Sequence, residues 1–300
     1  MAATPPAGTN PLNSTPRLDT QARDHDMQSH IAFIGAGNMA GALIGGLLAD
    51  GVSPDRLTAT DPSREKCEAL RAAAGIRTLQ DNRAAAADAD ILVLAVKPQV
   101  LKDVALELAE QVRRARPLVI SIAAGVRSDS LQAWLGGDAP VVRTMPNTPA
   151  MIQAGASVLY ATAAVSETQR EQAESLMRAV GLTQWVEDED LMDAVTALSG
   201  SGPAYYFLVM EAMEDAAKRL GLPPETARLL TLQTALGAAR MALESSEPPS
   251  TLRARVTSPG GTTERAVAVL EDGGIRDLFQ RALKAARDRS VELSDDLGAA

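Results

Sequence analysis

A chain of 300 residues suits two domains of ordinary size, and 46% apolar with 22% charged residues is an ordinary composition for a water-soluble globular protein. A formal net charge of −9 argues against nucleic acid as a partner, because phosphate-backbone binding depends on Lys and Arg displacing counterions. Cys67 is the single cysteine, and the two histidines, His25 and His30, lie ahead of the first apolar run; an internal disulfide, a metal site and a histidine base are therefore not expected.

Residues 1–28 are rich in Ala, Thr, Pro, Asn, Gln and Asp and hold no apolar run, so they read as a disordered extension. They lack the h-region of a secretion signal and are too acidic for a transit peptide, which leads to a cytoplasmic expectation. No later segment has the uninterrupted apolar length of a membrane helix, so no membrane partner is expected. His30 to Gly35 suits a buried parallel strand, and Asn38 to Ala49 carries helical spacing up to the stop at Asp50-Gly51. The same reading gives a strand over Arg56 to Thr60, a helix over Ser63 to Ala74, a strand over Ile91 to Val96 and a helix over Val100 to Arg114. Strands Leu118 to Ile122 and Val141 to Thr144 flank a short helix over Ser130 to Leu135. Strand Ser157 to Tyr160, helix Ser166 to Val180 and strand Thr183 to Val186 complete an alternation that implies parallel strands with helical crossovers.

From about Glu189 only helices are expected: Asp190 to Leu198, Ala204 to Leu220, Pro224 to Leu243, Thr263 to Leu270 and Ile275 to Leu297. Leu229, Leu232, Leu236 and Leu243 mark one apolar face of the third. The division falls near residue 188, giving an extension over 1–28, an α/β domain over 29–188 and an all-α domain over 189–300.

Gly35-Ala36-Gly37-Asn38-Met39-Ala40 fits G-x-G-x-x-[GA] directly after a strand and at the opening of a helix. The first glycine permits the tight turn, the second lets backbone approach a pyrophosphate, and the small last residue lets helix and strand pack closely. In a strand-helix-strand unit this points to a Rossmann dinucleotide-binding domain. At the end of the second strand, Asp61 stands where an acid binds the ribose hydroxyls of NAD, whereas Thr60, Ser63 and Arg64 could cradle the 2′-phosphate of NADP. The reading leans to NADP, with NAD left open. Ala95-Val96-Lys97-Pro98, Ser121 to Gly125 and Met145 to Pro149 all fall on the carboxyl edge of the same sheet, where open α/β sheets bind ligands. Among the helices, Ser199-Gly200-Ser201-Gly202-Pro203 interrupts a helical stretch, and Ser258-Pro259-Gly260-Gly261-Thr262-Thr263 precedes another helix. The second has the amides, hydroxyls and dipole of a carboxylate site, or is a plain cap with Thr262 or Thr263 as N-cap.

IGAGNMA, AVKP, SIAAGV, MPNTPA, DAVTALSGSGPAYYF, GLP and VTSPGGTT, in this order, resemble the pyrroline-5-carboxylate reductases over about residues 30 to 296. The resemblance implies a Rossmann domain followed by an all-α dimerisation domain, a homodimer or higher homo-oligomer, and NAD(P)H-dependent reduction of 1-pyrroline-5-carboxylate to L-proline, the last step of proline biosynthesis. It places coenzyme contacts on Ile34, Gly35, Ala36, Gly37, Asn38 and Met39, on Thr60 and Asn82, on Ala95, Val96, Lys97 and Pro98, and on Ala123 and Ala124. It places substrate contacts on Thr196, as hydrogen-bond partner of the ring nitrogen, and on Ser258, Gly260, Gly261, Thr262 and Thr263 around the carboxylate. Glu264 stands where many relatives have isoleucine. A β-hydroxyacid dehydrogenase shares the two-domain plan but resembles G-x-G-x-x-x-K at the interdomain helix; here Tyr206 stands at the lysine position. A non-catalytic dinucleotide-binding protein would keep the glycine turn without reason to keep the SPGGTT loop.

Overall fold

The apolar run Ile31–Ile34 forms β1, which pairs in parallel with Leu57–Thr60 (β2) on one side and Ile91–Leu94 (β4) on the other. A computed structural model describes residues 29–299, and the extension expected over residues 1–28 lies outside the described residues. Both faces of β1 are covered. Phe33 joins the core beneath helix α1 (Asn38–Ala49), and Ile34 joins the core beneath α4 (Pro98–Ala115), which explains four apolar residues without alternation.

Around β1 the sheet has the order β3-β2-β1-β4-β5-β6-β7-β8, with β3 at Arg77–Leu79, β5 at Leu118–Ser121, β6 at Val141–Met145, β7 at Gly155–Ala161 and β8 at Gly181–Trp185. Helices α2 (Arg64–Ala74), α3 (Asn82–Ala86), α5 (Ser128–Trp134) and α6 (Glu167–Arg178) complete the layers. Local chemistry sets their ends: Pro98 opens α4 with its missing N–H where none is needed, and Ser166 with Gln169 closes a capping box on α6.

The sheet is not parallel throughout, as the alternation had implied. β7 runs antiparallel to β6, with Arg143 opposite Tyr160, and β8 is parallel to β7. The segment joining β6 to β7 holds only the 3-10 turn Thr148–Ile152, too short for a crossover of about a dozen residues or more. β3 and α3 were also not expected. Both are short, and neither gives periodicity enough to be seen in sequence.

After β8 only helices follow: α7 (Leu191–Val195), a π-turn (Thr196–Gly200), α8 (Gly202–Arg219), α9 (Pro224–Glu244), α10 (Pro249–Arg255), α11 (Thr262–Asp272) and α12 (Ile275–Ala299). α10 was not expected, and the helix read from Asp190 to Leu198 is α7 running into the π-turn. α8 and α9 pack on each other, but Leu229, Leu232, Leu236 and Leu243 remain exposed, as do Tyr206 and Phe207. Exposed large apolar side chains gathered on two packed helices point to an interaction face. Hydrogen bonds from Arg276 and Arg253 hold the Glu271 carboxyl down to about 2. This strap across α10, α11 and the start of α12 is therefore complete above the ordinary carboxylate range and lost as the pH falls toward about 2.

Buried side chains join the helical half to the sheet. Buried Arg143 donates from Nη1 to Glu189 Oε1 at 2.9 Å, and Ser128 gives the same carboxylate its N–H at 2.8 Å and its hydroxyl at 2.6 Å. α12 returns along the junction, where Ser290 donates to Asp193 at 2.6 Å and Leu293 and Leu297 lie beside Gly125. No helix among the described residues is long and apolar enough to cross a membrane.

Candidate coenzyme and substrate site

Gly35 turns the chain from β1 toward α1 at a φ of 110°, a conformation that disfavours every residue with a Cβ. Its N–H donates to Thr60 O at 2.8 Å, and a Cβ here would stand 2.6 Å from Ala95 O, so the turn and the end of β4 touch backbone to backbone. Gly37 is the N-cap of α1 and offers no side chain to its amides, while the space where its Cβ would stand is open. Unpartnered N–H groups at a helix start beside open space fit a pyrophosphate. Asn38 and Met39 open the helix behind them.

At the end of β2, Thr60 donates its hydroxyl to Asn82 Oδ1 at 2.7 Å, and Asn82 Nδ2 donates to Glu107 at 3.1 Å. These two expected contacts therefore stand together. Asp61 is engaged by both oxygens: Oδ2 accepts from Ala36 N–H at 3.2 Å, and Oδ1 accepts from Ser63 N–H at 2.9 Å. Lys66 Nζ lies 3.5 Å from Oδ2. Arg64, at the first turn of α2, is turned along the helix to Glu68 at 2.8 Å. Lys97 is the N-cap of α4 and Pro98 its first residue, so Ala95 to Pro98 and Ala123 with Ala124 follow the carboxyl ends of the neighbouring parallel strands β4 and β5.

The helix break beside this edge can be accounted for bond by bond. Ser201 N–H reaches back to Thr196 O at 2.9 Å, which makes the π-turn and leaves Ala197 O without its usual donor; Tyr205 Oη supplies one at 3.0 Å. Pro203 has no N–H for Ser199 O, and Asn147 Nδ2 fills that place at 3.1 Å. Thr196 donates its own hydroxyl to Met192 O at 2.8 Å. Its hydrogen is committed, so the oxygen has lone pairs alone to offer a ligand.

Neither Thr262 nor Thr263 caps α11. Gly261 is the N-cap, in extended conformation, and Thr262 is the first helical residue. Glu264 reaches back instead, its Oε2 accepting from Gly260 N–H at 2.7 Å. Residues 258–261 thus form the end of the α10–α11 connection, Thr262 and Thr263 open α11, and α11 packs on α12, whereas the π-turn packs among α7, α8 and α12. Among the described residues no group of His, Cys, Asp and Glu side chains gathers to hold a metal ion.

Comparison with known proteins agrees along the chain. Residues 189–293 match the family model for pyrroline-5-carboxylate reductase dimerisation, and residues 30–125 match the model for NADP oxidoreductase, coenzyme F420-dependent. The chain is 54% identical over 268 residues to a pyrroline-5-carboxylate reductase of Pseudomonas aeruginosa, covering 89% of this chain and 98% of that one. It belongs to the pyrroline-5-carboxylate reductase family. A solved family structure from Coxiella burnetii, 52% identical, superposes with a TM-score of 0.86 over 89% of this chain and 98% of that one. One from Plasmodium falciparum with NADP bound, 28% identical, gives 0.80 over 89% and 99%.

For this pyrroline-5-carboxylate reductase family member, sequence reasoning missed three groups. Asn147 lay inside Met145 to Pro149, a segment read for its place on the ligand edge of the sheet without a role for the Asn itself, although Asn between prolines after a strand is a residue type able to bond backbone on both sides. Asp61 was read as a ribose ligand should NAD be the coenzyme, and its bond to Ala36 spans a separation no local pattern reveals. Tyr205 Oη, which repairs the π-turn, had no signal at all.

Proposed function

We propose that this chain reduces 1-pyrroline-5-carboxylate to L-proline with NADPH as the preferred coenzyme and NADH as a possible one. The observation that carries the reading is family membership over nearly the whole described chain, and the site geometry is consistent with it. Gly35 to Met39 would hold the pyrophosphate, Thr60 and Asn82 the adenosine ribose, and Ala95 to Pro98 with Ala123 and Ala124 the remainder. Asp61 has both oxygens bonded to backbone amides and so is poorly free to take ribose hydroxyls. Ser63, Arg64 and Lys66 stand at the start of α2, where a 2′-phosphate would be favoured, and this supports NADPH.

The nicotinamide coenzyme, when bound, supplies the hydride that reduces the C=N carbon. The protein's own part is positioning and charge. Thr196, with lone pairs alone on offer, accepts from the N–H of a protonated ring nitrogen, and this keeps the imine in its electrophilic form without a histidine. The loop of Ser258, Gly260, Gly261, Thr262 and Thr263 grips the carboxylate with amides at the start of α11. We take the division into domains at residues 188 and 189, with the helical half pairing to a second copy through the exposed faces of α8 and α9. The site is then completed across that pair, in a cytoplasmic enzyme.

The test is pyrroline-5-carboxylate-dependent oxidation of NADPH, with NADH and proline formation followed in parallel. Turnover to proline supports the reading, and a higher kcat/KM with NADPH supports the coenzyme preference. Folded protein that binds dinucleotide without turnover of the imino acid would sink both. One variant probes the carboxylate loop. Glu264 occupies the Gly260 amide and adds a negative charge beside it. Glu264→Ala is expected to lower KM for the imino acid about two- to tenfold, the scale of one charge at a helix start, with kcat nearly unchanged. A KM that stays equal or rises in steady-state kinetics would remove Glu264 from this account.

A further inference from the structure

The carboxamide of Asn147 reaches from the loop after β6 to the broken helix at Ser199. We infer that Asn147 is a positioning residue, whose two hydrogen bonds fix the π-turn that carries Thr196; this rests on the reading of Thr196 as partner of the ring nitrogen. Pro203 deprives Ser199 O of the N–H that an α-helix would supply, and Asn147 Nδ2 takes its place at 3.1 Å. The other end of the same amide is held, because Oδ1 accepts from Ala156 N–H of β7 at 2.9 Å. A carbonyl can be served by the NH2 alone and an N–H by the oxygen alone, so both ends of the carboxamide have assigned roles. The loop after β6 is thereby fastened to β7 on one side and to the helix break on the other. Met145 adds a second contact, its methyl lying against Gly200 with no room for a Cβ between them. The hydroxyl of Thr196 follows from this arrangement. It sits on the first residue of the π-turn, whose carbonyl takes the Ser201 N–H. Releasing Ser199 O would let the turn relax toward regular helix and carry Thr196 with it.

Asn147→Asp keeps the acceptor for Ala156 and loses the donor for Ser199 O. At neutral pH it is expected to lower kcat/KM for pyrroline-5-carboxylate about 10- to 100-fold, the scale of an ångström-size misplacement, while the dissociation constant for NADPH stays within about twofold. As the pH falls and the new acid protonates, it regains an O–H for Ser199 O, so the ratio of variant to wild-type kcat/KM rises toward one. Asn147→Ser, which is neutral and too short to reach, shows the same loss without the pH recovery, and it serves as the readout if the aspartate variant does not fold. Thr196→Val is measured beside them. A loss in Thr196→Val with wild-type activity in both Asn147 variants overturns the positioning role and leaves the reading of Thr196 intact. Wild-type activity in Thr196→Val overturns that reading and the positioning role with it. NADPH affinity falling in step with kcat/KM in the Asn147 variants, or an aspartate-to-wild-type ratio flat with pH, also overturns it, since either marks general damage to the sheet edge.

Discussion

Replacing Glu189 by alanine is expected to destabilise the protein by about 3–5 kcal/mol, the scale of breaking one partner out of a buried ion pair. Arg143 is 3% exposed and Glu189 8%, so the guanidinium left behind could not turn to water. The loss would extend beyond the pair, because Ser128 N–H and Oγ both donate to the same carboxylate at 2.8 and 2.6 Å. Three buried donors would be left unsatisfied by one substitution, and each such group carries its own desolvation cost. The measurement is the denaturation midpoint in urea, with the slope checked for constancy. Arg143→Met combined with Glu189→Leu is expected to recover only the part of the loss due to the orphaned charge, since Ser128 N–H and Oγ stay without an acceptor. A Glu189→Ala midpoint close to wild type would show that the junction between sheet and helices relaxes around Arg143. The same carboxylate lies at the start of the segment that carries Thr196, so the activity of the variant, measured where it is still folded, reports whether the junction also orders the site.

The parts of the fold that were legible in sequence are those set by local physics. The runs at Ile31–Ile34 and Ile91–Leu94 are apolar because both sheet faces are covered, and Gly35 is a glycine because the turn out of β1 takes a positive φ, a reason that can be stated from the chain alone. The direction of β7 was not legible, because strand direction depends on how far the connection can travel and the alternation of elements conceals that length. β3, with three residues and Arg77 exposed at its start, was too short to carry a pattern. The break at Ser199 to Pro203 was visible as glycine and proline in a helical stretch, yet its repair was not, since Asn147 and Ser199 are 52 residues apart. The same holds at Asp61, whose bond to Ala36 is settled by the return of β2 beside β1. The expected apolar stripe of Leu229, Leu232, Leu236 and Leu243 lies on one helix, α9, but among the described residues nothing covers it. Periodicity says that a face must be buried; it does not say which chain does the burying.

The two glycines of the coenzyme turn are expected to fail in different ways when each is changed to alanine. At Gly35 the backbone stands at a φ of 110°, which costs a residue with a Cβ about 1–3 kcal/mol. The added Cβ would also stand 2.6 Å from Ala95 O, and this is backbone on both sides. Neither side can step back, because Gly35 N–H is bonded to Thr60 O and Ala95 N–H to Ile34 O, both at 2.8 Å. The turn has to open, and with it the start of α1 leaves its place on the sheet edge. Gly35→Ala is therefore expected to lower the unfolding midpoint and to weaken NADPH binding about 100-fold, equivalent to about 2.7 kcal/mol. At Gly37 the backbone is extended and nothing lies within 4 Å of the added Cβ. Gly37→Ala is expected to fold as the wild type does, since alanine meets neither strain nor collision there. Its methyl would instead stand in the open space before the first amides of α1, where we propose that the pyrophosphate sits, so NADPH binding is expected to weaken with no change in the midpoint. Titrating both variants with NADPH beside their unfolding curves separates the two effects. Wild-type affinity in a well-folded Gly37→Ala would mean that the pyrophosphate does not approach α1 at that residue. The phosphate-cradling role would then have to shift to the amides of Asn38 and Met39.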